Sequence, residues 1–338
     1  MDTVLILGTE QGVITALKRG RTWVEASHNL NNQRVTSITK SSGRILAGTT
    51  QGLYRAPVDL TSDSDTEDML SKLEFEPLRI GIGSTLIRYL SAHPTMDKRV
   101  LAGTEPAEIF VSQDGGDTWR NCPEVVSLRE RHGWYLPYSP EAGCVRGFAF
   151  HGRRAYAAVE VGGVLISDDL GETWHLAEGS SGDPDQAPSK NFIHPDVHSI
   201  EVHPSSENLV IAPTGGSLFR SEDGGTTWSN LYRCYTRAAW LDSEDAKHII
   251  FGPADSVDQG GRIEMTRDGG QNWMRADKGL DAPWREYMAE RFVRIGDDLL
   301  AVLSNGRLAL ASLKTMEWEF ILPQIPFVLS AAGVVVGE

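Results

Sequence analysis

The chain has 338 residues, 34 of them glycine, and a formal net charge of −14. This length suits two domains or one large β domain, and the acidic balance argues against non-specific binding to nucleic acid or an anionic membrane, which requires a clustered basic face. Cys122, Cys144 and Cys234 form no close-spaced metal pattern, and no apolar run approaches the roughly 20 residues of a membrane helix. With no signal peptide visible, we expect a reduced, cytoplasmic chain.

The chain is predicted to consist of short strands joined by tight turns. Its first segment, "TVLILGTEQGVITALKRGRTW" (3–23), has the apolar runs and glycine turns of three consecutive strands. The terminal segment "IPFVLSAAGVVV" (325–336) supplies the strand that this first unit lacks. No long helical period is present, although Leu280–Arg291 has room for a short helical turn. Further units of the same kind start near Arg34, Ile87, Val145, Val197, Arg237 and Phe292.

A polar octapeptide closes four of these units. It reads "SQDGGDTW" (112–119), "SDDLGETW" (167–174), "SEDGGTTW" (221–228) and "TRDGGQNW" (266–273). Four strands in a period of about 45 residues predict a β-propeller blade. We therefore predict an all-β fold, a single seven-bladed β-propeller of four-stranded antiparallel blades over residues 1–338. Residues 1–25 and 325–338 share one blade, which closes the ring, and residues 59–76 form an acidic surface insert in the second blade.

The octapeptide resembles the Asp-box, or bacterial neuraminidase repeat, S-x-D-x-G-x-T-W. It is similar to the repeats of sialidase-like propellers and of photosystem II assembly-factor-like proteins, and the copy at 266–273 departs from the pattern at two positions. The resemblance implies a propeller in which these boxes are structural. Turn chemistry agrees, because an aspartate before Gly-Gly accepts backbone N–H groups while glycine takes a positive φ. The closing tryptophan is expected to pack between blades.

Propeller topology separates two faces of the disc. The octapeptides and the His-Pro turns, His93-Pro94 and His203-Pro204, are expected on one face. The long connections 129–144, 181–198 and 277–290 are expected on the other. Variable loops on a rigid scaffold carry function more often than structural turns do, so the second face is the candidate functional face.

Basic residues recur at the start of the innermost strands, where they would surround the mouth of the central channel. Carboxylates end several second strands, and aromatic residues come from the loops. Such arginines can clamp a carboxylate or phosphate, or they can pair with the glutamates and seal the channel. The predicted ligand-binding residues are Arg34, Arg88, Arg146, Arg237, Arg291, Glu10, Trp134 and Tyr138. The candidate catalytic residues are Glu160, Glu105, Tyr235 and His198.

The string "HPDVH" places His194, Asp196 and His198 at alternate positions. With Glu160 these residues are candidate ligands of a divalent metal; the alternative is a set of loop residues with one pocket histidine. No resident cofactor is predicted. No phosphate-binding glycine loop, zinc-protease motif or nucleophile elbow is present.

Three functions fit these residues. The first is binding of an anionic small molecule, with or without its hydrolysis, elimination or isomerisation. The second is a non-catalytic propeller that docks an acidic peptide segment, as the resemblance to assembly factors implies. The third is a sialidase-type glycoside hydrolase, which needs an arginine cluster, a Tyr-Glu pair and an acidic residue. Two features disagree with it: the F/Y-R-I-P signature is absent, and sialidases have six blades. No nucleic-acid or membrane partner is expected, and no oligomeric state is predicted.

Overall fold

Short strands joined by turns make up most of the computed structural model, which describes residues 3–59, 66–83, 85–138, 143–186 and 189–336. Within these ranges there are seven four-stranded antiparallel sheets. We call them blades 1 to 7 and number them along the chain. The fold class predicted from the repeat is confirmed.

The strand bounds are as follows. Blade 1 combines β1 (Thr3–Thr9), β2 (Gly12–Arg19) and β3 (Thr22–Asn29) with the last strand, β28 (Val328–Val335). Blade 2 is β4 (Val35–Ser41), β5 (Arg44–Thr49), β6 (Gly52–Pro57) and β7 (Glu76–Leu78). Blade 3 is β8 (Leu86–Ala92), β9 (Val100–Glu105), β10 (Ile109–Ser112) and β11 (Arg120–Asn121). Blade 4 is β12 (Cys144–His151), β13 (Arg154–Glu160), β14 (Gly163–Ser167) and β15 (His175–Leu176).

The remaining three blades follow the same order from the inside outwards. Blade 5 is β16 (Glu201–Val202), β17 (Val210–Pro213), β18 (Ser217–Ser221) and β19 (Ser229–Arg233). Blade 6 is β20 (Tyr235–Leu241), β21 (Ile249–Ala254), β22 (Glu264–Thr266) and β23 (Met274–Arg275). Blade 7 is β24 (Ala289–Ile295), β25 (Asp298–Leu303), β26 (Leu308–Ser312) and β27 (Trp318–Ile321).

Blade 1 closes the ring with strands from both ends of the chain, as predicted. β28 is antiparallel to β1, with Ile6 opposite Ala332 and Leu5 opposite Gly333. β28 also contacts the innermost strands of both neighbouring blades, β4 and β24. The pairing removes the free edges that an open arc of sheets would expose.

The core lies between blades, and β1 shows why its sequence is continuously apolar. Val4 and Ile6 belong to the hydrophobic cluster shared with blade 2, whereas Leu5 and Leu7 belong to the cluster shared with blade 7. All four side chains are fully buried. Because successive side chains of a strand point to opposite faces, a strand sandwiched between two blades must be apolar on both faces.

The octapeptide closes the turn between the third and fourth strands of its blade. In the copy at 221–228, Asp223 Oδ1 accepts the Thr227 N–H at 2.8 Å and Oδ2 accepts the Thr227 hydroxyl at 2.6 Å. The Ser221 hydroxyl donates to Asp223 Oδ1 at 2.8 Å, and Gly225 has a φ of 92°. Trp228 is buried in the cluster between blades 4 and 5. The other three copies make the same aspartate contacts at Asp114, Asp169 and Asp268.

Within the ranges that the structure describes, two helices interrupt the strand pattern, and neither was predicted. α1 (Thr66–Ser71) falls within the predicted surface insert, yet its Leu70 is fully buried in the cluster between blades 1 and 2; residues 60–65 of that insert lie outside the described residues. α2 (Pro123–His132) links blades 3 and 4, begins at a proline and ends at Gly133 in the left-handed conformation. Val125 is its one buried residue, so its sequence has little helical periodicity. Leu280–Arg291 contains no helix.

Among the described residues, no helix has the length and apolar character required to cross a membrane.

The aspartate of the octapeptide should contribute to stability rather than to binding. Asp223→Ala removes the acceptor of two hydrogen bonds from Thr227, so we expect urea denaturation to show a loss of about 1–2 kcal/mol, as for a lost helix cap. Glu222→Ala is the matched control, because this neighbouring side chain is 74% exposed and should change stability by less than about 0.5 kcal/mol. Equal stabilities of the two variants would contradict the capping role.

Candidate functional site

The innermost strands are bulged where they reach the candidate face. In blades 3 and 4 the pairing with the second strand shifts by one residue and leaves Arg88 and Arg146 out of register. In blade 6 the shift falls at Arg237. A bulge bends the strand and redirects the extra side chain. These three arginines therefore line the central cavity instead of packing between blades.

The bulged position differs from the predicted basic residue in two blades, and in blade 1 no basic residue was predicted there. In blade 2 the bulged residue is Thr36, two positions after Arg34. In blade 7 it is Glu290, one position before Arg291. In blade 1 it is Leu329. The sequence alignment missed these shifts because a bulge changes the register without changing the run of apolar residues around it. An acidic residue that had not been identified, Glu290, thus occupies a central position.

Six of the seven blades, all except blade 5, contribute residues to the opening of the channel among the described residues. A cavity of about 310 Å³ lies at this opening, and we call it the mouth cavity. Its lining includes five arginines and two carboxylates. A second space of about 440 Å³, the side cavity, adjoins it and shares Arg88, Tyr138, Arg146, Arg237 and Glu290. The charged residues of the mouth cavity are Arg34, Arg88, Arg146, Arg237, Arg291, Asp258 and Glu290.

Glu290 joins two arginines from different blades. Its Oε1 accepts from Arg146 Nη2 at 2.5 Å, and its Oε2 accepts from Arg237 Nη1 at 2.9 Å. Burial acts to raise the pKa of Glu290, but Arg146 and Arg237 outweigh this and lower it to about 2. The chain of ion pairs continues from Arg146 to Glu160 at 3.1 Å and from Arg237 to Asp258 at 3.1 Å.

The other predicted arginines differ in how well they are paired. Arg88 Nε donates to Glu105 Oε2 at 2.6 Å. Arg34 lies at the rim, where its side chain is 53% exposed and 3.7 Å from Glu10. Arg291 lies 4.8 Å from the centre of the Tyr89 ring and has no carboxylate at ion-pair distance within the described ranges. Its Nε is buried without a hydrogen-bond partner there, and burial lowers its pKa.

The predicted aromatic residues fall into two groups. Tyr138 lines both cavities and donates a hydrogen bond to Glu160 Oε2 at 3.0 Å. Tyr235 lines the side cavity, with its hydroxyl 3.3 Å from Arg237 Nε. Trp134 is instead a core residue of blade 4: it is buried among apolar side chains, and its indole N–H donates to the Gly182 carbonyl at 2.8 Å.

Glu160 is the most heavily contacted of the predicted catalytic residues. Besides Arg146 and Tyr138, the buried thiol of Cys144 lies 3.1 Å from its Oε2. Burial would raise the pKa of Glu160, but Arg146 holds it below the ordinary value. Burial, and then Glu160, raise the pKa of Cys144 well above the usual range. Cys144 is thus a protonated donor and not a thiolate nucleophile.

The metal candidates are partly brought together. Single ligand atoms of Glu160, Asp196 and His198 lie within 4.8 Å of one another. His194 is not part of this group, because its Nδ1 accepts the Asp196 backbone N–H at 3.2 Å. Burial lowers the pKa of His194.

A small space adjoins the mouth cavity and shares Arg146, Arg237, Glu290 and Arg291 with it. It measures about 40 Å³ and is also lined by Tyr89, His198 and Glu201. This volume holds a few water molecules at most. Glu201 faces it, and burial raises the pKa of this carboxyl to about 7.

No protein-family model and no curated protein sequence matches the chain. Similar solved structures exist, and we compared three of them. Apo AztD from Citrobacter koseri is 8% identical, with a TM-score of 0.60 over 98% of both chains. An ancestral GH74 enzyme is 13% identical, with a TM-score of 0.56 over 89% of this chain and 38% of the enzyme. PorZ, a surface component of the type-IX secretion system of Porphyromonas gingivalis, is 12% identical, with a TM-score of 0.54 over 90% of this chain and 34% of PorZ.

These likenesses show the fold alone. The chain spans about two fifths of the GH74 enzyme and a third of PorZ, and these two are described in different terms, as an enzyme and as a component of a secretion system. The predicted resemblance to propellers is therefore confirmed as architecture. One fold hosts many functions, so the function must be inferred from the site.

Loss of Glu290 should destabilise the protein. Glu290→Gln leaves Arg146 and Arg237 without their shared counter-charge, and we expect urea denaturation at pH 7 to show a loss of about 2–4 kcal/mol. Because the folded pKa of about 2 lies below the ordinary 4.5, this contribution is complete above pH 4.5 and shrinks as the pH falls towards 2. The deficit should therefore be smaller at pH 3. The exposed Glu286 provides the control, Glu286→Gln, for which no deficit is expected.

Glu201 should make stability depend on pH in the opposite sense. Its folded pKa of about 7 exceeds the ordinary 4.5, so the folded state binds more protons and wild-type stability falls as the pH rises from 4.5 to 7. Glu201→Gln lacks this titration. The stability of the variant relative to wild type should rise by on the order of 2 kcal/mol between pH 5 and pH 8. Parallel pH profiles in urea denaturation would show that Glu201 titrates normally.

Proposed function

We propose that the mouth cavity binds a small molecule bearing a carboxylate or phosphate group. The observation that carries the proposal is Arg291, a half-buried cation on the cavity wall whose Nε is buried without a hydrogen-bond partner and which has no carboxylate at ion-pair distance among the described residues. A buried charge is costly unless it is paired. An anion in the cavity would supply the missing partner.

The charges on the walls support this inference. Pairing within the protein accounts for Arg88, Arg146 and Arg237, two of which share the single carboxylate of Glu290. It does not account for Arg291, and it holds Arg34 only at 3.7 Å. The self-paired arrangement considered from the sequence is thus realised for part of the ring. The remaining guanidinium groups are suited to bidentate binding of an oxyanion.

Size and shape favour a small molecule over a peptide. The mouth cavity of about 310 Å³ is at the lower end of the range of small-molecule sites, roughly 300–1,000 Å³. It is concave, and the space that adjoins it at Tyr89 and Glu201 measures only about 40 Å³. A docking site for an acidic protein segment would be better served by a flat, open face, so we favour the small molecule.

The sialidase-type alternative meets one requirement and fails another. Tyr138 and Glu160 form a Tyr-Glu pair at 3.0 Å. Burial, followed by the neighbouring Cys144 and Glu160 side chains, raises the pKa of Tyr138, whereas the pKa of Glu160 is lowered. A nucleophilic tyrosine needs the opposite, a phenol that readily loses its proton to a basic partner. The pair is better suited to hold a ligand than to attack one.

Replacing Arg291 should separate binding from stability. Calorimetric titration of wild type with inorganic phosphate or with succinate, at low ionic strength, should show binding of at least one of the two anions. Arg291→Met should weaken that binding by about ten-fold or more, since one charge-assisted contact is lost. Because Arg291 contacts the Tyr89 ring but no carboxylate at ion-pair distance among the described residues, its removal leaves no buried carboxylate unpaired, and the free energy of unfolding should change little.

Arg153→Gln provides the matched control. Arg153 is exposed in the turn between β12 and β13, at the opposite end of blade 4 from Arg146, so its loss should not change anion affinity. Failure of both anions to bind wild type, or equal binding by wild type and Arg291→Met, would contradict the proposal. The anion that binds distinguishes a phosphate site from a carboxylate site.

A further inference from the structure

The hydrogen bonds of His198 define which ring nitrogen carries a proton. His198 is 3% exposed, and its Nδ1 lies 2.8 Å from the backbone carbonyl oxygen of Thr236. A carbonyl oxygen only accepts, so Nδ1 is the donor. In the neutral imidazole the lone pair is then on Nε2.

That lone pair is directed at a carboxylate. His198 Nε2 lies 3.2 Å from Asp196 Oδ1, and neither atom has a hydrogen-bond partner in the portion of the chain that the structure describes. Both atoms are buried. Two electron-rich atoms at this separation repel each other unless a cation or a second proton lies between them.

We propose that His198 Nε2, Asp196 and Glu160 bind a divalent transition-metal ion of the zinc type. The three ligand atoms lie within 4.8 Å of one another. Bonds of roughly 2.0–2.2 Å to a tetrahedral ion need ligand separations of about 3.3–3.6 Å, so the carboxylates need to approach by about an ångström. One imidazole nitrogen with two carboxylates suits Zn²⁺ or Mn²⁺ rather than Ca²⁺ or Mg²⁺, which prefer oxygen ligands alone.

The surroundings have the features of a metal site. The Thr236 carbonyl fixes the ring of His198, as the outer partners of metal-binding histidines usually do. The Tyr235 ring packs 5.0 Å from the His198 ring. Glu160 and Asp196 line the side cavity, so an ion can reach them from the candidate face. Arg146 neutralises only part of the negative charge, since it pairs with both Glu160 and Glu290.

A doubly protonated His198, paired with Asp196, is the competing arrangement. It would satisfy the same geometry with no ion, and it predicts that metal has no affinity for the site near neutral pH. Metal binding instead requires the neutral ring and releases any proton it carries. Titration with metal therefore distinguishes the two arrangements.

The test uses the full chain without an affinity tag, dialysed against a chelator and titrated with Zn²⁺ alone. Calorimetry at pH 7.5 should show one equivalent bound to wild type, and the affinity should fall as the pH is lowered to 5.5, because protons compete for His198. His198→Gln and Glu160→Gln should each weaken binding by about ten-fold or more, as lost ligands do. His175→Gln, at an exposed histidine of β15, should bind as wild type does.

Two further measurements keep the test decisive. Zn²⁺ should raise the unfolding temperature of wild type but not that of His198→Gln, and circular dichroism should show that the variant is folded. Absence of binding to wild type, or unchanged binding by folded His198→Gln, would overturn the proposal in favour of the protonated ring. Arg291→Met should retain Zn²⁺ binding, so failure of the anion site and failure of the metal site are separately visible.

Discussion

The antiparallel pairing of β28 with β1 is the contact on which the rest of the structure depends. It turns a row of seven sheets into a ring, and a ring is required for the innermost strands to face one another. Hydroxyl groups then link neighbouring inner strands: Ser330 Oγ accepts the Ile38 N–H at 3.0 Å, and Ser37 Oγ accepts the Leu90 N–H at 2.9 Å. Since each blade buries both faces against its neighbours, no wall of the mouth cavity is stable without closure.

Bulges convert this closed ring into a site. A regular inner strand would turn its side chains towards the adjacent blades, where only apolar residues fit. The register shifts at Arg88, Arg146 and Glu290 release one charged side chain per strand into the central space. Charged side chains in so confined a space need a partner of opposite charge. This explains why Glu290 forms ion pairs with two arginines. Arg291, one residue further along, lies outside that balance.

The fold could be predicted from the sequence because its signals are local. Each octapeptide carries its own turn, hydrogen bonds and tryptophan, so four copies in register define the blade without any long-range information. The position of a cavity residue was predictable only where its spacing from the start of the innermost strand was enough to locate it, as for Arg88, Arg146 and Arg237. Glu290 was missed because a one-residue bulge leaves no trace in the apolar pattern. Trp134 was predicted to contact a ligand because a long connection suggests an exposed loop. Its ring is instead buried in blade 4, against α2 and Gly182.

The two proposed sites are linked through Arg146, which lines the mouth cavity and pairs with Glu160 of the metal site, and this has an energetic consequence. Arg146 now divides its charge between Glu160 and Glu290. A cation bound at Glu160 would compete with Arg146 for that carboxylate, and Glu290 is already shared with Arg237. The guanidinium would then be less neutralised and better able to attract an anion in the mouth cavity. Because coupling between two binding equilibria is reciprocal, an anion beside Arg146 would strengthen cation binding at Glu160 by the same factor, and the arrangement of charge favours occupation of both sites together.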